Sequence, residues 1–457
     1  MGKAKKKENL TLEERLQAAL VPDWEQPYKI PKNWCWTRIA NLCCLSNGKA
    51  FKPTDWAETG IPIVRIQNLN NPEAAYNLYS GMVKDKFRLC GGELLFAWSG
   101  TPGTSFGAHI WWGNEAVLNQ HIFRVDFDER HINKIYFKYA INQQLDMLIS
   151  VAHGGAGLQH VTKGVFETTP IPLPPLPEQQ RIVDRIQSLF TKLDEAKKKA
   201  QDALDSFETR KAAILQKAFT GELTAKWRKE HGVRMESWTQ CKLIDILAEK
   251  PRNGYSPKPV DYVTPYKSMT LSATTTGIFK PEFFKYIDQE IPEDSYLWLK
   301  PGDILIQRAN SLEKVGMSAI YTGKEHEFIY PDLMMKLVLK EINSKKYIDY
   351  YLKSDRVLNY FRSNATGTAG NMPKINQKVV SETPLILPKK LEQNEIVRIL
   401  DDMFAKEQQV KEAVETVVEQ IDLIKKSILS RAFRGDLGTN DQNEESAVEL
   451  LKRIFEV

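Results

Sequence analysis

Pro170-Ile171-Pro172-Leu173-Pro174-Pro175-Leu176-Pro177-Glu178-Gln179-Gln180-Arg181-Ile182-Val183 opens a stretch that returns as Pro384-Leu385-Ile386-Leu387-Pro388-Lys389-Lys390-Leu391-Glu392-Gln393-Asn394-Glu395-Ile396-Val397. The copies align without a gap from Pro170–Leu223 to Pro384–Leu437, at an offset of 214, with 17 of 54 pairs identical. The far ends match too. Ile214-Leu215 and Ala218-Phe219-x-Gly221 correspond to Ile428-Leu429 and Ala432-Phe433-x-Gly435. A gapless match of this length is a duplication, and a repeat of this kind governs how the rest of the chain is read.

Working outward, the same offset continues more weakly through Gly155–Lys163 and Ala369–Gln377. Gly92-Glu93-Leu94-Leu95 echoes Gly302-Asp303-Ile304-Leu305, and Trp34 followed by Arg38-Ile39 echoes Trp238 followed by Lys242-Leu243. The chain is a tandem pair of divergent block plus long segment. The expected division is an N-terminal arm (1–30), a first block (31–176), a helix with linker (177–234), a second block (235–390), a second helix (391–437) and a tail helix (438–457).

The long segments are expected to be helices. Ile182, Ile186, Leu189, Leu193, Ala196, Ala200, Ala203 and Phe207 step alternately by four and three, the a/d seam of a coiled coil. The second copy carries Ile396, Leu400, Met403, Val410, Val414, Val417, Ile421, Ile424 and Ile428, interrupted by Glu407. Pro177 and Pro388 stand where a helix start tolerates proline, and Gly221 and Gly435 stand where a helix stops. At 1.5 Å per residue, Glu178 to Phe219 would be a rod of roughly 60 Å. So long a seam needs a partner, and its own copy is the obvious one; the alternative is that each rod is tucked into its neighbouring block. The seam leaves parallel and antiparallel pairing open.

Apolar residues make up 42% and charged residues 26% of the 457, values of a soluble globular protein of two to three domains. No run is long and apolar enough for a membrane span, and the basic start leads into no apolar stretch, so the chain is expected in the cytoplasm. Five cysteines (Cys35, Cys43, Cys44, Cys90, Cys241) without C-x-x-C spacing argue for structural thiols, not a zinc site or disulfide framework. Sixty-three basic against 58 acidic residues give +5, compatible with a polyanionic partner. Catalytic signatures are missing. There is no G-x-x-x-x-G-K-[ST], no strand-linked G-x-G-x-x-G, no H-E-x-x-H or H-x-E, and no Asn- or Asp-Pro-Pro-aromatic tetrapeptide. Pro331-Asp332 reads as a turn before a strand. The chain is expected to have no catalytic residue and no metal site.

Each block reads as mixed α and β. Ile61–Ile66, Glu93–Trp98 and His121–Val125 are predicted strands of the first, Asp303–Gln307 and Leu333–Leu339 of the second, with helices over Ile132–Leu148 and Lys345–Phe361. Polar, glycine-rich loops occupy matching places in both halves. In the first, Ser99-Gly100-Thr101-Pro102-Gly103-Thr104-Ser105 and Gly154-Gly155-Ala156-Gly157-Leu158-Gln159-His160-Val161-Thr162-Lys163 supply the candidates Ser99, Thr101, Thr104, Ser105, Gly155, Gly157, Gln159, His160 and Lys163. In the second, Arg308-Ala309-Asn310-Ser311 and Thr366-Gly367-Thr368-Ala369-Gly370-Asn371-Met372-Pro373-Lys374-Ile375-Asn376-Gln377 supply Arg308, Asn310, Ser311, Thr366, Gly370, Asn371, Lys374, Asn376 and Gln377. Glycine lets backbone N–H groups approach a phosphate, while amide, hydroxyl and basic side chains suit base edges. One such loop would read as ordinary surface. Two pairs, each just upstream of a long helix, read as nucleic-acid contacts.

With these residues in view the chain resembles the specificity subunits of Type I restriction–modification systems. Pro172–Val183 and Leu215-Gln216-Lys217-Ala218-Phe219-Thr220-Gly221-Glu222-Leu223 resemble the family's central signature, and Leu387–Leu437 resembles its C-terminal conserved region. Gly370-Asn371-Met372-Pro373-Lys374-Ile375-Asn376 resembles the loop before the signature; Lys389-Lys390-Leu391 departs from the first copy's Pro175-Leu176-Pro177. The resemblance implies an α+β fold in which two mixed α/β target recognition domains are joined by two long helices pairing as an antiparallel coiled coil with pseudo-two-fold symmetry. It implies a non-catalytic reader of a bipartite, asymmetric double-stranded DNA target, with the helices as spacer. Partners would be two methyltransferase (modification) subunits, and restriction/translocase subunits in the full complex. S-adenosylmethionine, ATP and Mg2+ would be bound by those partners and not by this chain. The competing reading is a coiled-coil adaptor whose blocks bind proteins; a nuclease hidden in one block comes third. Thr11-x-x-Glu14 is a capping box for a helix over Thr11–Leu20, and Glu444–Phe455 is amphipathic. For the second half to match the first, residues 1–30 and 438–457 should pack near each other.

Overall fold

Trp34–Arg38 and the Pro-Leu run before the first helix, which the repeat singled out separately, turn out to be two edges of one ribbon. In the computed structural model, which describes residues 11–71, 73–100, 106–152, 159–367 and 372–456, Cys35–Arg38 pairs antiparallel with Pro170–Leu173, Trp36 opposite Pro172. The second copy does the same: Thr239–Lys242 pairs with Pro384–Leu387, Gln240 opposite Ile386. A two-stranded ribbon has only edges, so it tolerates proline at positions a central strand would refuse. The chain forms two units, residues 1–199 with 417–457 and residues 200–416.

In the first unit an antiparallel sheet runs in the order Cys44–Asn47, Ile122–Asp126, Leu94–Ala97, Gly107–Ile110. A second sheet, ordered Asn77–Tyr79, Ile61–Val64, Ala116–Leu118, Arg88–Leu89, is mixed, Ile61–Val64 running parallel to Ala116–Leu118. The strand predicted to reach Ile66 stops at Val64, because Asn68 caps Arg65 N–H (3.1 Å) and starts the short helix Ile66–Asn70. The helix predicted over Ile132–Leu148 is two, Lys134–Gln143 and Leu145–Ser150, interrupted at Gln144 (φ −92°, ψ 2°).

The second unit repeats the antiparallel sheet as Arg252–Asn253, Met334–Leu337, Ile304–Gln307, Ser318–Ile320. A three-stranded sheet of Pro259–Val260, Phe284–Ile287 and Tyr266–Met269 accompanies it. The helix predicted over Lys345–Phe361 divides at Lys353-Ser354 into Lys345–Leu352 and Asp355–Asn364, where the Ser354 hydroxyl donates back to Tyr351 O (2.7 Å).

The first long helix is also interrupted. It runs Leu176–Asp205, breaks at Ser206 and resumes as Phe207–Phe219. Ser206 Oγ donates to Ala203 O (2.8 Å) and the Arg210 guanidinium reaches the same carbonyl (3.4 Å), so local bonds compete with the helical ladder. The second helix, Lys390–Arg434, is continuous. Gly221 (φ 84°) and Gly435 (φ 79°) end the two in the left-handed region.

Within each unit the helices run antiparallel. In the first, Lys197 pairs with Asp422 (2.8 Å) while Asp194 pairs with Lys425, whose ammonium lies 5.0 Å over the Phe190 ring. In the second, Arg210 pairs with Glu407 (3.1 Å) and Lys211 lies 6.0 Å over Phe404. Both aromatic–lysine contacts join residues identical between the copies. The seam differs from expectation on the second helix: Val410, Val417 and Ile424 are 51%, 45% and 44% exposed. The sheltered line is instead Met403, Glu407, Lys411, Val414, Val418, Ile421, Lys425 and Ile428. An extra four-residue step at Glu407–Lys411 moves the frame by one position, a stutter that an apolar-only pattern cannot register. Ala196 on the first helix is likewise exposed.

Of the remaining seam residues, Ile182 and Ile186 are buried in the core of the first unit with Trp34, Phe96, Tyr136 and Phe433. Ile396 and Leu400 sit in that of the second with Ile214, Tyr347 and Phe361. Ile421 is buried; Leu189, Leu193, Phe207, Met403, Val414 and Ile428 are half-buried. Both ends of each helix are thus block core, and the middle turns form the two-helix seam.

The Glu-Gln pair of each copy is the joint. Glu178, fully buried, accepts from Trp34 Nε1 (2.7 Å), Asn440 Nδ2 (2.7 Å) and Thr439 Oγ1 (3.3 Å). Glu392 accepts from Trp238 Nε1 (2.9 Å), Thr224 Oγ1 (2.7 Å) and Arg228 (2.7 Å). Gln179 accepts from Asn133 N–H (2.8 Å) and donates to Pro174 O (3.0 Å); Gln393 accepts from Ser344 N–H (2.9 Å) and donates to Pro388 O (2.9 Å). The termini meet as expected for the described residues. Thr11 caps the helix Leu12–Ala19, whose Leu16 and Ala19 share a core with Leu450 and Leu451 of the helix Ala447–Glu456. Ala447 N–H donates to Asn33 O (2.9 Å). Among the described residues no helix is long and apolar enough to cross a membrane.

Candidate nucleic-acid interface

In each unit the two polar loops are joined by short antiparallel backbone pairing. In the first, the chain leaves the sheet at Ala97, and Ser99-Gly100 pairs antiparallel with Gln159-His160, Gly100 opposite Gln159. Val161 N–H closes the ladder on Trp98 O (2.9 Å). In the second, Ala309 and Thr366 both bridge Lys374, Ile375 N–H donates to Arg308 O (2.8 Å) and Asn310 N–H to Pro373 O (3.3 Å). Segments 59 residues or more apart in sequence are therefore brought together at the same end of each central sheet.

Of the first unit's candidates, Thr101, Thr104, Ser105, Gly155 and Gly157 lie outside the described residues, and Gln159 is placed by its backbone alone. Ser99 is buried. Lys163 lies in the first turn of the helix Lys163–Thr168, its ammonium 3.3 Å from Leu45 O and 3.5 Å from Glu167. His160 stacks edge-on against Trp98, 5.8 Å between ring centres.

In the second unit Gly370 and Asn371 lie outside the described residues. Asn310 Nδ2 donates to Gln307 Oε1 (2.6 Å), and Gln307 Nε2 in turn donates to Thr274 Oγ1 (2.9 Å), Thr275 Oγ1 (3.1 Å) and Leu271 O (2.8 Å). Ser311 N–H closes on Asn310 Oδ1 (2.7 Å), Thr366 is tied to Lys374 through the backbone, and Asn376 caps the helix Gln377–Ser381 by accepting from Val379 N–H (2.9 Å). Arg308 donates to Asp332 O (3.3 Å), and its Nε is buried without a partner among the described residues. These bonds hold the loop pair together. Lys374 and Gln377 are exposed, and no ion pair or hydrogen bond engages either side chain among the described residues.

A neighbouring cleft in the first unit escaped the sequence reading. It has a volume of about 220 Å³ and is walled by Phe51, Trp56, Arg65, Gln67, Gln120 and His121. His121 lies against Trp98 (5.4 Å between ring centres), so the cleft adjoins the loop ladder. Burial, then the neighbouring His160 and Arg65, hold the His121 imidazole below its ordinary pKa of 6.5, which keeps it neutral at pH 7. The signal was available in Asn119-Gln120-His121, an amide-rich run just before a strand, but an amide run alone names no ligand. Among the described residues no group of three or more His, Cys, Asp or Glu side chains is placed to hold a metal ion.

Comparison with known proteins places this geometry. The family model for the Type I restriction modification DNA specificity domain matches twice, over residues 31–204 and 235–420. The Escherichia coli EcoKI Type I restriction enzyme specificity subunit is 24% identical, the alignment covering 93% of this chain and 96% of that protein. The MjaVIII specificity subunit of Methanocaldococcus jannaschii is 23% identical over 91% of this chain and 95% of its own length. Among solved structures, the HsdS subunit from Thermoanaerobacter tengcongensis superposes with a TM-score of 0.58 at 18% identity, covering 90% of this chain and 99% of that one. A chain from a study of complex assembly and conformational transition of the type I R-M system gives 0.66 at 19%, covering 90% and 100%. At such identities these likenesses establish the fold.

Proposed function

Because the chain belongs to the family of Type I restriction modification DNA specificity domains, carrying two of them, we propose that it reads a bipartite, asymmetric DNA sequence for a Type I restriction–modification enzyme. It contributes recognition and no chemistry. The observation that carries this reading is the doubled loop pair: each specificity domain presents two polar loops laddered together at one end of its central sheet. Two similar but non-identical readers in one chain suit a target with two unlike halves. The antiparallel helices, which run through both units, set the interval between the halves.

Two modification subunits dock on this chain and bring S-adenosylmethionine for methylation of adenine at N6. Restriction subunits bring ATP-driven translocation and cleavage, with Mg2+. Support comes from the relatives, which are named as specificity subunits of restriction enzymes. The test is a gel-shift of the chain with its methyltransferase partner on random and split-site duplexes. The expected result is sequence-selective retention that weakens steeply with salt as phosphate contacts release counterions. Equal retention of all duplexes would favour blocks that bind proteins.

A further inference from the structure

The cleft beside the first unit's loop ladder is built for hydrogen bonding yet holds no carboxylate among its described lining residues. Arg65 is the one charged side chain among those residues. One guanidinium nitrogen donates to Asn77 Oδ1 (3.1 Å) and the group leans on the Trp56 ring (6.0 Å), which holds it in place and leaves its other donors without a partner among the described residues. The Gln120 amide nitrogen lies 3.1 Å from His121 Nε2. If Nε2 accepts that bond, the neutral ring carries its proton on Nδ1.

His121 Nδ1 is buried with no hydrogen-bond partner among the described residues, and so are His160 Nδ1 and Trp98 Nε1 beside it. Buried polar atoms in a native protein are nearly always paired, so three orphans around one ring cluster mark a place where a hydrogen-bonding ligand or water belongs. The Trp98 ring touches both imidazoles, at 5.4 and 5.8 Å between ring centres. Amide and guanidinium groups flanked by aromatic rings match the edges of bases, which offer paired donors and acceptors, better than a phosphate, which calls for several cations.

Resting on the DNA-reading function above, we propose that this cleft takes the edge of a base pair in the first half of the target, with Arg65 and Gln120 choosing the base. Gln67 and the Trp98–His121–His160 cluster frame the contact. Arg65, Gln67, Gln120 and His121 lie outside the loops that the repeat pointed to, whereas His160 belongs to one of them; the cleft belongs to one block only, so it acts on one half of the target.

The test uses the full chain assembled with its methyltransferase partner, a randomised duplex library and sequencing of the methylated products. Arg65→Ala and Gln120→Glu are compared with the wild type. Relaxed or altered preference at a position of the first half, by roughly tenfold or more, with the second half unchanged, is the expected result; the intact second half also reports a folded complex. Unchanged preference in both variants, or equal loss at both halves, overturns the cleft assignment while leaving the reading function standing. A wild-type complex with no sequence preference overturns both.

Discussion

At the scale of single residues, the two most repeated side chains are structural. Glu392 is 1% exposed and holds the Arg228 guanidinium, itself 12% exposed, together with the Thr224 hydroxyl and the Trp238 indole. Glu392→Ala would leave a buried cation and two donors unpaired, an expected loss of about 3–5 kcal/mol, measurable as a lowered denaturant midpoint. Glu178 differs. Burial outweighs its hydrogen bonds and Arg181 and raises its pKa above 4.5. The folded protein therefore binds this proton more tightly than the unfolded chain. Its contribution is full below the unfolded value and is lost as pH rises through the folded one. The stability of wild type relative to Glu178→Gln should accordingly fall from pH 4 to pH 7; a gap in thermal midpoint that stays level across that range would refute the argument. The Lys374 side chain has no partner among the described residues, so Lys374→Ala should leave the melting temperature unchanged. Its gel-shift salt slope should drop by about one if it meets a phosphate.

At the scale of elements, the helices carry two kinds of information in one pattern. Their end turns are block core and their middle turns a two-helix seam, and in both places apolar residues recur at helical spacing. Only burial separates a seam position from its neighbour. Ile421 is 4% exposed and Val417 is 45% exposed, although both lie on the same apolar repeat. Ile421→Asp buries a charge and should cost about 3 kcal/mol or more, whereas Val417→Asp should stay within about 0.5 kcal/mol. Thermal melts of the two variants followed by circular dichroism check this. Equal effects would restore the seam that the heptad pattern implies.

At the scale of the whole molecule, each unit is assembled from distant parts of the chain. The first combines residues 1–199 with 417–457, so the tail supplies Thr439 and Asn440 to Glu178 as the linker after Gly221 supplies Thr224 and Arg228 to Glu392. Each reader is thus a self-contained module with its own joint. Exchanging residues 31–176 for the corresponding block of a relative should change one half of the methylated sequence and leave the other half and the interval as they were. Mapping methylated adenines in cells carrying the chimera reads this out. A change in both halves would mean the blocks do not read independently.

The duplication, the helices, the central strands of both blocks and the absence of catalytic motifs were legible in the residues themselves, because each is a local or periodic property that needs no neighbour to be seen. Folding in space decided the rest. Which face of the second helix is covered depends on Arg210 and Asp194 meeting Glu407 and Lys425 across a gap in sequence of nearly two hundred residues or more. That Asn310 is bonded to Gln307, which itself reaches Thr274 and Thr275, and Thr366 to Lys374, is visible only in the folded chain. The cleft of Arg65, Gln67 and Gln120 exists only because a strand-to-helix turn and a strand-entry loop, remote along the chain, close against one another. Periodicity records what each segment buries; only the packed molecule determines which polar groups are left unpaired and free to bind.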